Sequence, residues 1–398
     1  MFGLTAVEFF VAVVVIFIVT YWITPRKLAW LPMLLTSVLL GVLAFNAVPN
    51  ETDDLSRYFQ ILTQLKDGGH DLLEKWYEEK FMEWDTYRVC AYYFYYISKL
   101  SSVCYLPAIT IFLVYGLSFL VIYKAAMKFD VEKSYLFIGS MFFISTYWYY
   151  DTYSGIRNGL TFAIITACAY YHLVERKRIP LCIAGYLIAC FLHSTGAMYV
   201  VLVFVAVLTL NNKGKFMNFA LIFGMTAGQA LIQYLATHTE VSLFKSIAGR
   251  AETVDGESVI FSTSFATNVV TVIVVAVIVF YFGKYVNDEK PSVYFKRYYK
   301  YASIMEYFMI GCLFSALVFV RFARWVIPVI GAVVYMVGNQ LQQEYFNSMD
   351  TKYILYFSPP SITRRYKFKG LLNLVVVVYT LVHFWYLCTG SSLCWIHF

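Results

Sequence analysis

The chain has 398 residues, of which 60% are hydrophobic, 20% aromatic and only 14% charged, with a formal net charge of +7. An ordinary soluble domain carries about 25% charged residues, so that class is excluded. Apolar runs near the length of a bilayer's hydrocarbon core recur throughout, which predicts an all-α polytopic membrane bundle; a β-barrel would show short alternating segments.

The first run, 2–23, lacks a basic start and a small-residue cleavage site. It reads as a retained span rather than a signal peptide. Further runs at 28–48, 103–123, 134–150, 158–174, 179–193, 195–210, 216–237, 265–283, 302–320, 325–340 and 370–387 bring the expected count to about twelve, in a single membrane domain over 1–398. The pair 179–193 and 195–210 is short for two crossings. Three connecting pieces stand out. In the loop 49–102, the stretch "DLLEKWYEEKFMEW" places Leu73, Trp76, Tyr77, Phe81 and Trp84 at three- and four-residue spacings, the pattern of a helix lying in the membrane interface. The loop 238–264 is polar and punctuated by glycine, while 341–369, with "SPPS" and "RRYKFK", reads as a basic connector on the lipid surface.

Lysine and arginine set the orientation. With Arg26 and Lys27 in the cytoplasm, the same side collects Lys124–Lys133, "ERKR" at 175–178, "NNKGK" at 211–215, 284–300 and 341–369, which hold 20 of the 31 basic residues. The other side holds 11, and its long loop 49–102 is acidic. That side would be the outer face of the cytoplasmic membrane. The net positive charge then belongs to loops facing anionic lipid and implies no nucleic-acid partner. The eight cysteines are scattered; nothing forces Cys388 and Cys394 to pair, and no zinc spacing emerges. "GIRNG" (155–159) and "GMTAG" (224–228) place glycines four apart, as close helix packing allows.

Soluble-enzyme signatures such as H-E-x-x-H, G-x-S-x-G, a P-loop or a dinucleotide fingerprint are missing. What remains is a set of ionisable residues at the outer ends of spans: Asp53, Asp54 and Arg57, then Asp151 and Arg157, then His193, then Arg321 and Arg324. Each has a bland reading. Asp53 or Asp54 with Arg57 fits a local helical ion pair, Arg157 could snorkel to headgroups, and His193 could cap a turn. Two arginines in "ALVFVRFARWVIP" are harder to dismiss, since charge at membrane depth costs roughly 2.5–3.5 kcal/mol even on the lenient scale. If the bundle gathers these ends, they form a cationic pocket. Guanidinium groups suit a diphosphate, and nearby aromatics such as Tyr150 and Tyr153 suit sugar rings.

The course "PNETDDLSRYFQ", then "YYDTYSGIRNGLTFAIITACAYYHLVERKRIPLCIAGYLIACFLHSTGAMYV", then "FVRFARWVIP" resembles the EpsG branch of Wzy-type polysaccharide polymerases, most strongly over 145–205. "RFAR" is only loosely like the family's late arginine. The resemblance implies a GT-C-like membrane glycosyltransferase that needs no cofactor and no metal. It would join undecaprenyl-diphosphate-linked repeat units into O-antigen, capsule or exopolysaccharide. Its partners would be the lipid-linked donor and acceptor, membrane lipid, a flippase and a chain-length regulator. By position Arg157 and Arg321 would stabilise the departing diphosphate, with Arg324 in reserve and Arg57, Tyr150 and Tyr153 on the substrate. His193 or an acid, Asp53, Asp54 or Asp151, would take the proton of the attacking hydroxyl. Ser194 and Thr195 are expected to cap the following helix themselves, and on that view a basic role for His193 would not survive replacement by glutamine. A flippase for lipid-linked sugars, a glycan ligase or a membrane acyltransferase are the rivals, although neither half repeats nor paired broken helices favour a transporter.

Overall fold

The computed structural model describes residues 5–209 apart from 52, 84 and 85, and residues 262–390 apart from 289–292, 315 and 354–359, with 393 and a few positions between 218 and 238. In chain order the helices are α1 (Ala6–Ile23), α2 (Trp30–Asn46), α3 (Asp54–Glu78), α4 (Arg88–Ser98), α5 (Tyr105–Lys128), α6 (Lys133–Thr146), α7 (Tyr149–Ser154), α8 (Ile156–Tyr170), α9 (Ile179–Leu192) and α10 (Thr195–Leu208). They continue with α11 (Thr263–Asp288), α12 (Val293–Gly311), α13 (Ala316–Trp325), α14 (Ile327–Tyr353) and α15 (Pro360–Thr389). Among the described residues there is no β-strand, so the all-α expectation holds.

Five segments are long and apolar enough to cross a membrane: Ala6–Ile23, Arg26–Asn46, Tyr105–Lys128, Thr263–Gly283 and Gly370–Thr389. A sixth is the pair Val318–Trp325 and Ile327–Tyr345 if this 42° bend is one broken span. The chain is thus a multi-pass helical membrane protein, with five or six full-length candidate spans among the described residues. Helix α8 runs on through a π-helical turn at Tyr171–Glu175, but α6, α9 and α10 have only 14 residues each, roughly 21 Å of helix against a hydrocarbon core of about 30 Å. The run 302–320 is divided by a 3-10 turn at Cys312–Phe314, and most of 216–237 and of the loop 238–264 lies outside the described residues, as do "GMTAG" and Cys394. The stretch read as a basic connector is helical at both ends, in the last part of α14 and the start of α15.

Local sequence accounts for the elements. Thr5 and Glu8 form a reciprocal capping box at the start of α1, with the Thr5 N–H donating to the Glu8 carboxylate at 2.7 Å. In the segment 49–102, the helix expected around 73–84 is longer and kinked: α3 starts at Asp54 and breaks at Gly69, whose φ of 63° is a conformation that favours glycine. Beyond the kink Leu73 and Trp76 are buried, and Phe81 stacks on Trp76 with ring centroids 4.5 Å apart.

The centre of the bundle is the first half of α14. Every residue from 325 to 340 is buried, as a helix apolar on all sides should be. It packs on α5, α6 and α11, while α1, α2 and α15 turn Val19, Leu34, Leu381 and Trp385 outward. Successive helices run antiparallel: Phe45 meets Tyr105 at one end of the α2–α5 pair, and the Tyr123 hydroxyl donates to the Lys27 carbonyl at the other. The turns bearing Arg26, Lys133 and 175–178 therefore gather at one end. The starts of α3, α5 and α8, and the α9–α10 turn, gather at the opposite end.

Candidate functional site

The site is built on that second end. Asp53 precedes α3 in extended conformation, and its carboxylate accepts the Tyr150 hydroxyl at 2.6 Å and the Asn50 N–H at 3.2 Å. Tyr150 lies in the short α7, so this contact ties the segment 49–102 to the rest of the bundle. One residue on, the exposed Asp54 pairs with Arg57 at 2.8 Å, three positions along α3. That is the local pair that the spacing allowed. Tyr58 follows on the buried face, and the Arg157 guanidinium stands 5.9 Å from its ring centroid. Burial, above all, raises the Tyr58 pKa, with Arg157 pulling the other way, so the hydroxyl keeps its proton and can donate.

Arg157 reaches this place because α7 turns tightly into α8. A Cβ on Gly155 would come 2.6 Å from the Asp151 carbonyl oxygen and 3.5 Å from the Trp325 ring, so the turn admits no side chain there. The buried Nε of Arg157 has no hydrogen-bond partner. Arg321, on α13, interacts electrostatically with Arg157, Asp54 and Tyr58. Among the described residues neither Arg157 nor Arg321 forms a salt bridge.

Arg324, one turn further along α13, faces other neighbours. Its guanidinium donates to the Asp151 carboxylate and the Ser264 hydroxyl and covers the Trp148 ring at 4.6 Å. Next to it the Trp325 indole donates to Thr152 at 2.9 Å. These contacts bolt α13 to α7 and to the start of α11.

His193 closes the site between α9 and α10. Its Nδ1 accepts the Thr195 N–H at 3.2 Å and lies 2.9 Å from the Thr195 hydroxyl, which in turn reaches Asn158 Oδ1 at 3.2 Å. Ser194 makes no capping hydrogen bond with its side chain. The first free N–H of α10 is therefore satisfied by the histidine, not by the serine or threonine hydroxyls expected to do so. The Tyr87 ring lies nearly parallel to the imidazole, at 14° and 6.2 Å between centroids. Both Arg157 and Arg321 act electrostatically on the imidazole.

The folded chain brings Asp54, Arg157, His193 and Arg321 into one cluster, with Asp53, Tyr150 and Tyr153 beside it and Arg57 on the exposed rim. Asp151 and Arg324 are engaged with each other. Three residues that sequence reasoning passed over line the cluster, Tyr58, Tyr87 and Asn158, together with Thr195, which was expected only as a helix cap. Two of them could have been flagged, since Tyr58 follows Arg57 and Asn158 follows Arg157 directly. Among the described residues no group of three or more His, Cys, Asp or Glu could hold a metal ion.

No curated protein and no solved structure matches the chain. A family model does match, over residues 29–358, and that stretch contains every residue of the cluster. The chain belongs to the EpsG family.

Proposed function

We propose that this protein is a polysaccharide polymerase that joins undecaprenyl-diphosphate-linked repeat units at the outer face of the cytoplasmic membrane, on a GT-C-like scaffold of about twelve membrane-crossing segments, some shorter than a full span. The observation that carries this reading is the pair of half-buried arginines, Arg157 and Arg321, set beside each other with no carboxylate paired to either. Two neighbouring cations in apolar surroundings are costly unless an anion completes them. A diphosphate offers several oxygens in the geometry that guanidinium groups bind best. The partly exposed rings of Tyr87 and Tyr150 suit the sugars attached to it, whereas Tyr58 and Tyr153 are buried.

The chemistry follows from the same groups. A hydroxyl of the acceptor glycan attacks the anomeric carbon of the donor. The bond from that carbon to the phosphate oxygen breaks, and its electrons leave with the diphosphate. Arg157 and Arg321 stabilise the charge that grows on that oxygen. The hydroxyl proton passes to Asp53, Asp54 or His193. Asp151 is neutralised by Arg324 and is set aside from that role, as Arg324 is from the diphosphate.

Glycan analysis of a deletion strain tests the function. A polymerase leaves surface glycan with one repeat unit, a flippase leaves none, and a ligase leaves long chains still on the carrier lipid. Sidedness is tested by single cysteines at 66 and 177 in a background without native cysteines. An impermeant thiol reagent on intact cells should label position 66 only, and labelling at 177 alone would overturn the outer-face site.

A further inference from the structure

We infer that His193 is a neutral hydrogen-bond donor to the departing diphosphate, acting through Nε2–H, and is not the proton acceptor. The inference rests on the polymerase reading and assigns His193 a different task within it. The argument starts from Nδ1. A backbone N–H only donates, so the contact from Thr195 requires a lone pair on Nδ1. The neutral imidazole then carries its proton on Nε2. A base working through Nε2 would need that nitrogen unprotonated, which would move the proton to Nδ1 and set it against the Thr195 amide. The Thr195 hydroxyl, 2.9 Å from Nδ1 and 3.2 Å from Asn158 Oδ1, has one proton to give to either, so it holds the ring edge that faces α10 and leaves the choice of tautomer to the Thr195 amide.

The opposite edge of the ring is the one left for substrate. Among the described residues Nε2 has no hydrogen-bond partner. Nor does the site favour a cation there, since an imidazolium at His193 would stand against both guanidinium groups. A neutral N–H adds a third donor without adding a third positive charge. The Tyr87 ring, nearly parallel to the imidazole, restricts its rotation, so the donor is preorganised. The proton of the attacking hydroxyl then goes to a carboxylate, Asp53 or Asp54, and the electron pair leaves with the diphosphate as before.

Two measurements test this, one of them independent of activity. Nitrogen NMR of the purified full-length protein with 15N-labelled histidine, His193 being assigned by its loss in H193Q, should show the Nε2–H tautomer at neutral pH. A proton on Nδ1, or a doubly protonated ring, overturns the inference. In polymerisation of purified lipid-linked repeat units, His193→Gln can place an amide N–H where Nε2–H stood and should stay within about tenfold of wild type. His193→Leu has no donor and should fall about 100- to 1000-fold, the usual loss for one transition-state donor. The acid limb of the pH–rate profile should be the same in wild type and H193Q, because it belongs to the carboxylate. If H193Q reaches the membrane normally and is as inactive as H193L, the donor role is wrong. If wild type itself makes no polymer, it is the polymerase reading that fails, and the NMR result still decides the tautomer.

Discussion

The two ends of the bundle treat their cations differently. At the end holding the basic turns, Arg26 pairs with Asp130 and donates to the Val131 carbonyl at 2.9 Å, Lys133 donates to the Trp22 carbonyl at 2.8 Å, and Lys128 lies 3.8 Å from Glu175. Each contact ties one turn to another. At the opposite end Arg57 and Arg324 are used in the same way, by Asp54 and Asp151. Arg157 and Arg321 are not: they stand near each other and His193, with the Tyr58 ring beside Arg157, and the Asp54 carboxylate, paired with Arg57, acts on both without a salt bridge to either. On the proposed reading the difference separates charges that hold the bundle from charges left for a substrate.

The largest effect should come from the unpaired set. Arg157→Ala and Arg321→Ala should each lower polymerisation about 100- to 1000-fold, the loss typical of a removed transition-state donor, at normal protein levels in the membrane. Lysine should restore little, because a point charge cannot grip a diphosphate at two oxygens. The readouts are in vitro chain growth and the cellular glycan ladder, with immunoblots for protein level. Full-length polymer from either alanine variant would remove that residue from the site. Loss of the protein from the membrane would show that it holds the bundle after all.

Arg324 and Asp151 should show the reverse behaviour. Removing one partner strands the other charge, both side chains being about four-fifths covered. Either Arg324→Ala or Asp151→Ala should therefore cost about 1–3 kcal/mol of stability, as for other buried groups that lose their partner. The double variant should cost less than the sum of the two, because no charge is left alone. Thermal unfolding in detergent measures both. Arg157→Ala should leave the midpoint nearly unchanged or raise it, since it relieves a clash with Arg321. A drop equal to that of Arg324→Ala would erase the distinction between the two arginine types.

Much of this site was legible in the chain. The arginine opening "RNGL", the histidine closing "ACFLH" and the charge asymmetry between loops placed Arg157 and His193 at neighbouring edges, and helical spacing offered Asp53 or Asp54 to Arg57, of which the fold uses Asp54. The sequence ranked Arg321 ahead of Arg324, but what each of them meets was not legible. They sit three apart on one helix, and their partners are chosen by packing; Asp151, which engages Arg324, is 173 positions away. Tyr58 was hidden among 35 tyrosines. Hydropathy does not separate a helix that crosses lipid from one buried among its neighbours, so the short length of α6, α9 and α10 was not legible in the apolar runs that contain them. The His193 tautomer could not be foreseen, since it depends on which edge of the ring meets the α10 amide.

The smallest effect should come from the basic end, and it sharpens the comparison by showing what a paired surface cation contributes. Asp130 is 81% exposed, so its ion pair with Arg26 is largely screened by solvent. Exposed pairs contribute about 0–1 kcal/mol. Arg26→Ala also loses the bond to the Val131 carbonyl, which water can replace at that edge. The expected outcome is a shift in unfolding midpoint much smaller than that of Arg324→Ala, with chain growth within about twofold of wild type. Raising the salt concentration should shrink even that shift, because screening weakens an exposed pair before a covered one. If Arg26→Ala instead stopped chain growth as completely as Arg157→Ala at equal protein level and unchanged topology, the basic end would be taking part in the reaction. The site would then no longer belong to one end of the bundle.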